Sequence, residues 1–148
     1  IYAVGGFVRD LILNVPNKDI DIVVEGEGIP FAVCLAELFG GQVKSHEKFG
    51  TSVVTLSNGD RIDVATARTE YYKHPAALPI VEKGSIKSDL FRRDFTVNSM
   101  AIKLTGSNAF CLIDFFDGEK DLRSRNIHVL HSLIFIEDPC TTRGLNKS

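Results

Sequence analysis

The sequence predicts a mixed α/β (α+β) domain, in which a mixed sheet of about five strands is covered by helices. Short β-branched runs alternate with apolar runs of helical spacing, and Asn58-Gly59 provides a two-residue hairpin turn between two of the strands. The chain has 148 residues, of which 44% are hydrophobic, so it is long enough for one domain with its own core. No internal repeat or low-complexity linker divides it.

The N-terminal half is predicted to alternate strands and helices. Gly5-Gly6 ends the first strand and begins a helix whose apolar face would hold Phe7, Val8, Leu11 and Ile12. Pro30 in the first turn and Gly40-Gly41 at the end delimit a second helix. The predicted elements are strands over 1–4 and 19–26, helices over 7–14 and 29–41, and an antiparallel pair of strands over 51–57 and 61–67.

The C-terminal half begins with an irregular segment. Residues 69–85 contain two prolines and two tyrosines without a clean period, which predicts a loop. A helix is predicted over 89–102, with Ser88 or Asp89 as its N-cap. The remaining elements are predicted as a strand over 111–116, a turn or short helix over 118–124, a strand over 126–130 and the start of another helix from about Ser132.

Composition limits the classes of function. The formal net charge of −2 gives no general attraction to nucleic acid, and no apolar run approaches the roughly 20 residues of a membrane span. The three cysteines are far apart and lack CxxC spacing, so neither a disulfide framework nor a zinc site is expected. Cys34 is predicted to be a buried thiol. We expect a cytoplasmic protein without a signal peptide, and the absence of an initiator Met indicates that the numbering starts inside a longer protein.

Two aspartates stand at the start of a strand that otherwise looks buried. Because strand side chains alternate, Asp19 and Asp21 lie on one face, about 6–7 Å apart at the backbone, while Ile20 and Ile22 lie on the other. Such a pair could share divalent cations that activate a hydroxyl and neutralise a leaving group in phosphoryl transfer. Oxygen ligands and phosphate favour Mg²⁺. A lone DxD is more often a solvated pair.

Asp63 is a candidate for a third carboxylate. Ile62 and Val64 would face the core and Asp63 the opposite side of its strand. If this strand neighbours the Asp19–Asp21 strand, three carboxylates approach one another, and their mutual repulsion would favour a bound cation. Pairing of Asp63 with Arg61 or Arg68 is an equally weighted alternative.

The Gly5-Gly6 pair suggests a phosphate cradle. A strand, two glycines and a helix start expose backbone N–H groups to an anion, and Arg9 in the first turn could reach the same anion. A Gly-Gly pair alone is usually only a turn, and its position beside the two aspartates strengthens the functional interpretation.

Five motifs in order resemble one family. They are GGFVRD (5–10), DIDIVV (19–24), RRDFTVNSM (92–100), DFFDGEKDL (114–122) and FIEDP (135–139). This series resembles the bacterial-type (class II) tRNA nucleotidyltransferases and their poly(A) polymerase relatives, which have a polymerase β-like nucleotidyltransferase fold. The resemblance implies a catalytic head domain over residues 1–131, followed by a truncated neck helix or non-native tail over 132–148.

The resemblance also implies roles for single residues. Asp19 and Asp21 match the pair that binds catalytic Mg²⁺, and Asp63 falls where many members have a third acidic residue. Residues that match triphosphate binding are Gly5, Gly6 and Arg9, and those that match ribose and nucleotide recognition are Arg93, Asp94 and Asn98. On the predicted helix, Asp94 and Asn98 would share a face. Without the other motifs, a helix cap and a solvated charge would explain Asp94 and Arg93 better.

Base selection in the family is assigned to an EDxxR pattern. Glu137 and Asp138 are present, but Thr141 occupies the arginine position, and the next arginine, Arg143, comes two residues late. The loop 69–85 matches a mobile loop that is linked to adenosine addition, which favours an A-adding or CCA-adding member over a CC-adding one.

The implied activity is template-independent, Mg²⁺-dependent transfer of CMP or AMP from CTP or ATP to the 3′ end of tRNA. The family's main RNA-binding domains lie outside this chain, so weak RNA affinity is expected. Three alternatives remain open: a poly(A) polymerase, a nucleotidyltransferase acting on a small molecule or protein, and a non-catalytic nucleotide-binding module, which the incomplete EDxxR pattern supports.

Overall fold

The computed structural model of the chain describes residues 1–71 and 80–130. The strands in this part are β1 (Tyr2–Val4), β2 (Ile20–Val24), β3 (Gln42–His46), β4 (Thr51–Thr55), β5 (Arg61–Thr66), β6 (Arg68–Tyr71), β7 (Ile80–Lys83), β8 (Met100–Lys103) and β9 (Leu112–Asp114). The helices are α1 (Gly6–Ile12), α2 (Gly28–Phe39), α3 (Ile86–Phe91) and α4 (Gly118–Ser124), with 3-10 turns at Glu47–Phe49 and Thr96–Asn98.

The main sheet has seven strands in the order β3-β4-β5-β2-β1-β8-β9. Only β2 and β5 pair in parallel; the other neighbours are antiparallel, and β6 and β7 form a separate antiparallel pair. The predicted fold class, a mixed sheet with helices packed against it, is confirmed. The strand count is larger than the expected five, partly because β8 lies in a segment predicted as helix.

The alternation of side chains along β2 gives the sheet two different faces. Ile22 and Val24 are buried against α2. Val23 points the other way and is buried with Leu90 of α3. Asp21 therefore lies on the α3 side of the sheet, opposite the core that α2 covers.

The prediction of one helix over 89–102 is wrong. The helix α3 begins earlier, because Ser85 caps it and forms a reciprocal capping box with Ser88, and it ends at Phe91. The chain then turns into β8, where Met100 and Ala101 are completely buried between β1 and β9. A short apolar run that is buried in mid-sheet has no periodicity that distinguishes it from a helix.

Two predicted apolar contacts are also wrong. In α1, Val8 is buried and Phe7 and Ile12 pack beside it, but Leu11 is 52% exposed. Cys34 is exposed rather than buried, because α2 turns the side that carries Ala32 and Ala36 towards the sheet.

The predicted loop and last strand differ in part from the structure. Residues 69–85 were predicted to lack secondary structure, whereas β6 and β7 pair at the two ends of this segment. Of the strand predicted over 126–130, only a single bridge between Val129 and Phe95 forms. The predictions for Tyr72–Pro79 and for 131–148, including Glu137 and Asp138, lie outside the described residues. Within the described part, none of the helices has the length and apolar character of a membrane span.

We expect Asp121→Asn to destabilise the fold in a pH-dependent way. The buried Asp121 carboxylate accepts hydrogen bonds from Thr96 (2.7 Å) and His128 (2.8 Å). The hydrogen bond from Thr96 and the proximity of His128 and Lys120 lower the pKa of Asp121, and burial opposes them only in part. A lowered folded-state pKa stabilises the fold above the unfolded pKa, and this stabilisation is lost as the pH falls through the folded pKa.

The loss should be about 2 kcal/mol near neutral pH, as for a charge-assisted hydrogen bond to a buried group. Urea unfolding of both proteins between pH 7 and pH 3 measures it. A difference that stays constant across this range would contradict the assignment.

Candidate active site

Three predicted site residues meet where β1 turns into α1. Gly5 has a φ of 70°, in the region that favours glycine. A Cβ atom on Gly5 would lie 2.9 Å from Nη1 of Arg93 and 3.4 Å from Oδ2 of Asp21. The glycine backbone, a carboxylate and a guanidinium thus share one small volume that a side chain at position 5 would fill.

The strand pairing places Asp21 beside Asp63. These residues are partners in the parallel β2–β5 register, so their Cα atoms are about 4.8 Å apart and their side chains share a face. Asp19 lies directly before β2, where its N–H donates to Oδ1 of Asn17 at 2.7 Å. The condition on which Asp63 was a candidate third carboxylate, that its strand is a neighbour of the Asp21 strand, is met.

The pKa of Asp21 is governed by burial and by three neighbouring charges. Burial raises the pKa of Asp21; the positive charge of Arg93 opposes this rise, and the negative charges of Asp63 and Asp19 add to it. Asp63 forms the predicted alternative pair, with Nη2 of Arg61 at 3.3 Å from its Oδ1. Burial, which Arg93 offsets only in part, thus dominates the electrostatics of Asp21.

The carboxylates fit a divalent cation only in part. Within residues 1–71 and 80–130, no group of three or more His, Cys, Asp or Glu side chains is placed to hold a metal ion. The pair Asp19 and Asp21 provides hard oxygen donors, and the raised pKa of Asp21 indicates a place where a cation would relieve repulsion. Asp63 could join them through Oδ2, since its contact with Arg61 is through Oδ1.

Arg9 is held beside the glycine turn by a polar network. Its Nη1 donates to Oδ1 of Asn98 and its Nε to Oδ1 of Asp10, both at 2.8 Å. Asn17 donates to the other oxygen of Asp10 at 2.6 Å. The hydrogen bond from Arg9 lowers the pKa of Asp10. The structure thus brings Arg9 and Asn98 together, as their predicted common site requires.

A buried aspartate that the sequence did not predict as a site residue holds Arg93. Asp89 is completely buried; its Oδ1 accepts from Arg92 at 3.0 Å and its Oδ2 from Arg93 at 3.3 Å. The signal in the sequence is the spacing i, i+3, i+4 between an acid and two consecutive arginines. Asp89 was predicted only as a possible N-cap.

The position of α3 is fixed by a residue at the end of β2. Glu25 accepts from the backbone N–H of Ile86 at 2.6 Å and from the Tyr2 hydroxyl at 3.1 Å. These bonds tie the first turn of α3 to β1 and β2. The helix that precedes Arg93 is therefore anchored to the strand that carries Asp21.

The shared helical face predicted for Asp94 and Asn98 is wrong. Asp94 lies in the turn after α3, and Asn98 ends a separate 3-10 turn. The Asp94 side chain is exposed, and its backbone carbonyl accepts from Leu130 at 2.9 Å. Asn98 contacts Arg9, whereas no such contact joins Asp94 to the other candidate residues that the structure describes.

The mixed sheet and the acidic pair beside its glycine turn define a head domain of the nucleotidyltransferase type. The chain belongs to the poly A polymerase head domain family, whose model matches residues 1–128. The family resemblance predicted from the motifs is thereby confirmed. Nucleotidyltransferases of this family are generally metal-dependent.

Individual relatives are enzymes that act on tRNA. The chain is 54% identical over 139 residues to the A-adding tRNA nucleotidyltransferase of Geobacter sulfurreducens, covering 94% of this chain and 16% of that protein. A CCA-adding enzyme in its apo form II is similar with 51% identity and a TM-score of 0.83, over 93% of this chain and 32% of that one.

A tRNA nucleotidyltransferase complexed with a primer tRNA and an incoming ATP analog is 40% identical with a TM-score of 0.78, over 93% of this chain and 37% of that one. The chain therefore spans about a third or less of the length of most of these relatives.

Proposed function

We propose that this chain is the catalytic head of a Mg²⁺-dependent enzyme that transfers AMP or CMP from ATP or CTP to the 3′ end of tRNA. The observation that carries the proposal is the meeting of Gly5, Asp21 and Arg93 at one end of β1. The relatives' action on tRNA supports the identity of the acceptor. A cytoplasmic location accords with this role.

In this proposal Asp19 and Asp21 hold Mg²⁺. Bound Mg²⁺ would supply Lewis-acid stabilisation of the phosphoryl group and of the leaving oxygen. Asp21 contributes a half-buried carboxylate whose pKa is raised chiefly by burial and further by the neighbouring Asp63 and Asp19. Asp63 provides a third ligand or a base through Oδ2, since its contact with Arg61 is through Oδ1.

The incoming triphosphate binds between the glycine turn and two arginines. Gly5 and Gly6 let the phosphates approach the backbone, and Arg93 borders the same volume. Arg9 lies against the other glycine, since a Cβ on Gly6 would be 3.4 Å from its Nη2. Two guanidinium groups would neutralise charge that develops on the leaving pyrophosphate.

The chemical step is an in-line displacement. The 3′-hydroxyl of the RNA gives its proton to a base, a role proposed for Asp63, while its oxygen forms a bond to the α-phosphorus. The bond from that phosphorus to the bridging oxygen of the β-phosphate breaks, and pyrophosphate leaves. Holding the two reactants in line provides much of the rate acceleration. Ribose recognition is proposed for Asp94 and Asn98, and base selection for Glu137 and Asp138.

Poly(A) addition is the second candidate, because the matching family model is that of a poly A polymerase head domain. It shares the head chemistry and differs in the acceptor and in the number of nucleotides added.

The test is incorporation of labelled ATP or CTP, with Mg²⁺, into tRNAs that lack one, two or three 3′ nucleotides. We expect addition that stops at the mature end and is abolished by Asp19→Ala. Asp60→Ala, a change in the exposed hairpin turn, is the matched control and should retain activity. Repeated A addition would indicate poly(A) synthesis, and nucleotide binding without incorporation would indicate a non-catalytic module.

A further inference from the structure

Among residues 1–71 and 80–130, the face of the main sheet that carries Asp21 forms an open surface over β3, β4 and β5. The opposite face of these strands is covered by α2, which packs against Val43, Val54, Ile62 and Val64. Since side chains alternate, the residues between these positions project to the Asp21 side. This side holds a cleft of about 470 Å³.

The cleft adjoins the candidate active site. Register pairing runs from Asp21 to Asp63, from Asp63 to Val53 and from Val53 to Lys44, which places four side chains in one row across four strands. With about 4.8 Å between strands, Lys44 lies about 14 Å from Asp21 along this row. The residues that line the cleft are Gln42, Val43, Lys44, His46, Val53, Thr55 and Arg61.

The charge of this surface changes sign beyond Asp63. The cleft lining includes Lys44, Arg61 and His46 but neither aspartate nor glutamate. Arg61 is 63% exposed even while it pairs with Asp63, and Lys44 and His46 are also exposed. Two cations, Lys44 at the end of the row from Asp21 and Arg61 on the same face of β5, therefore lie between the acidic pair and the sheet edge at β3.

The side from which the nucleophile must enter indicates which ligand these cationic side chains bind. The triphosphate is proposed to lie on the β1 side of Asp21, between Gly5 and Arg93. In an in-line displacement the nucleophile enters opposite the leaving group, here from the β5 side. The RNA chain that carries the 3′-hydroxyl must then extend over β4 and β3.

We propose that this cleft binds the phosphodiester backbone of the last nucleotides of the RNA acceptor, with Lys44 and Arg61 as phosphate contacts. The inference rests on the proposed function and deepens it. Lys44 is the cleaner residue to test, because Arg61 is also engaged with Asp63.

Fluorescence anisotropy of a labelled single-stranded RNA ending in CC, titrated with the 148-residue chain without nucleotide or metal, tests the inference independently of catalysis. Lys44→Gln should weaken RNA binding about three- to tenfold at low salt and reduce the slope of log K against log salt by about 0.7, the loss of one single-strand phosphate contact. Lys120→Gln, a matched change of an exposed lysine on α4, a helix that does not line the cleft, should alter neither quantity.

Competition by inorganic tripolyphosphate shows whether the cleft binds the phosphates of the RNA backbone or those of the nucleotide. We expect Lys44→Gln to leave tripolyphosphate affinity unchanged; an equal loss for both ligands would assign the cleft to the nucleotide and overturn the inference. Identical RNA binding by Lys44→Gln and Lys120→Gln would also overturn it. If wild-type RNA binding depends on Lys44 while no nucleotide is incorporated, the cleft assignment stands and the proposed catalysis fails.

Discussion

Asp21→Asn is expected to reduce nucleotide transfer by about 10³-fold or more and, at the same time, to make the fold more stable at neutral pH. The loss of activity follows because an amide would replace a proposed metal ligand, which removes several kcal/mol of transition-state stabilisation. Asn keeps the size and shape of the side chain beside Gly5, so the packing at the turn is conserved.

The gain in stability follows from the electrostatics of the site without ligands. Burial and the neighbouring Asp63 and Asp19 raise the pKa of Asp21, and Arg93 compensates only in part. A carboxyl group with a raised folded-state pKa favours folding fully below its unfolded pKa, and this contribution is lost as the pH rises through the folded value. A neutral amide avoids that loss, so the variant should unfold at a higher temperature at pH 7 and at a similar temperature well below pH 4.

Two measurements check this prediction. Thermal unfolding at both pH values, without metal or nucleotide, gives the change in stability, and single-turnover incorporation into tRNA gives the change in rate. Asp60→Asn in the hairpin turn, where the carboxylate is 42% exposed and 4.0 Å from the Lys18 ammonium, serves as the control for both. Undiminished transfer by Asp21→Asn would remove Asp21 from the catalytic site, and a lower unfolding temperature at pH 7 would show that its carboxylate is satisfied by protein partners.

The sequence predicted the elements of the site that depend on strand alternation. Apolar residues alternate with Asp21 in its strand and with Asp63 in its own. They show that each aspartate lies on the face opposite the apolar side, because a period of two holds wherever one face of a strand is buried. That β2 and β5 are neighbours was only a condition of the argument. Their pairing is long-range and is decided by the packing of α2 across both strands.

The sequence failed where a short segment is governed by tertiary contacts. Asp94 and Asn98 were placed on one helix, but the chain leaves α3 at Phe91 so that Met100 and Ala101 can fill the middle of the sheet. The free energy gained by burying these two residues outweighs the modest helix propensity of residues 92–99, which connect α3 to β8. The common neighbourhood of Arg9 and Asn98 is therefore produced by a loop and a 3-10 turn, for which no periodic pattern exists.

Asp89 was missed for a related reason. A carboxylate with two arginines three and four residues later is typical of a solvated helix surface, and the sequence does not show that the acid is on the buried side. In the structure Asp89 is completely buried, while the side chains of Arg92 and Arg93 are 27% and 21% exposed. The buried acid thus becomes the anchor of the arginines, one of which borders Asp21.

Asp89→Asn is therefore expected to cost about 3 kcal/mol of unfolding free energy, because it removes the charge of a completely buried carboxylate that two largely buried arginines share. It should also raise the KM for ATP or CTP by about tenfold, the equivalent of one charge-assisted hydrogen bond, because Arg93 loses the contact that orients it towards the glycine turn. Urea unfolding and steady-state kinetics with varied nucleotide measure the two effects.

The control must separate loss of stability from loss of orientation. Asp114→Asn weakens a carboxylate that accepts from the backbone N–H groups of Phe116, Gly118 and Glu119 at the start of α4 rather than from Arg93. It should lower stability by about 1 kcal/mol, as for a helix cap, and leave the nucleotide KM unchanged.

A double-mutant cycle decides whether Asp89 acts through Arg93. If it does, Asp89→Asn should raise the KM strongly in the wild type and hardly at all in an Arg93→Gln background, since the oriented group is already gone. Additive effects of the two changes would mean that Asp89 supports the site only by stabilising α3, and that Arg93 takes its position from the packing around Leu90 instead.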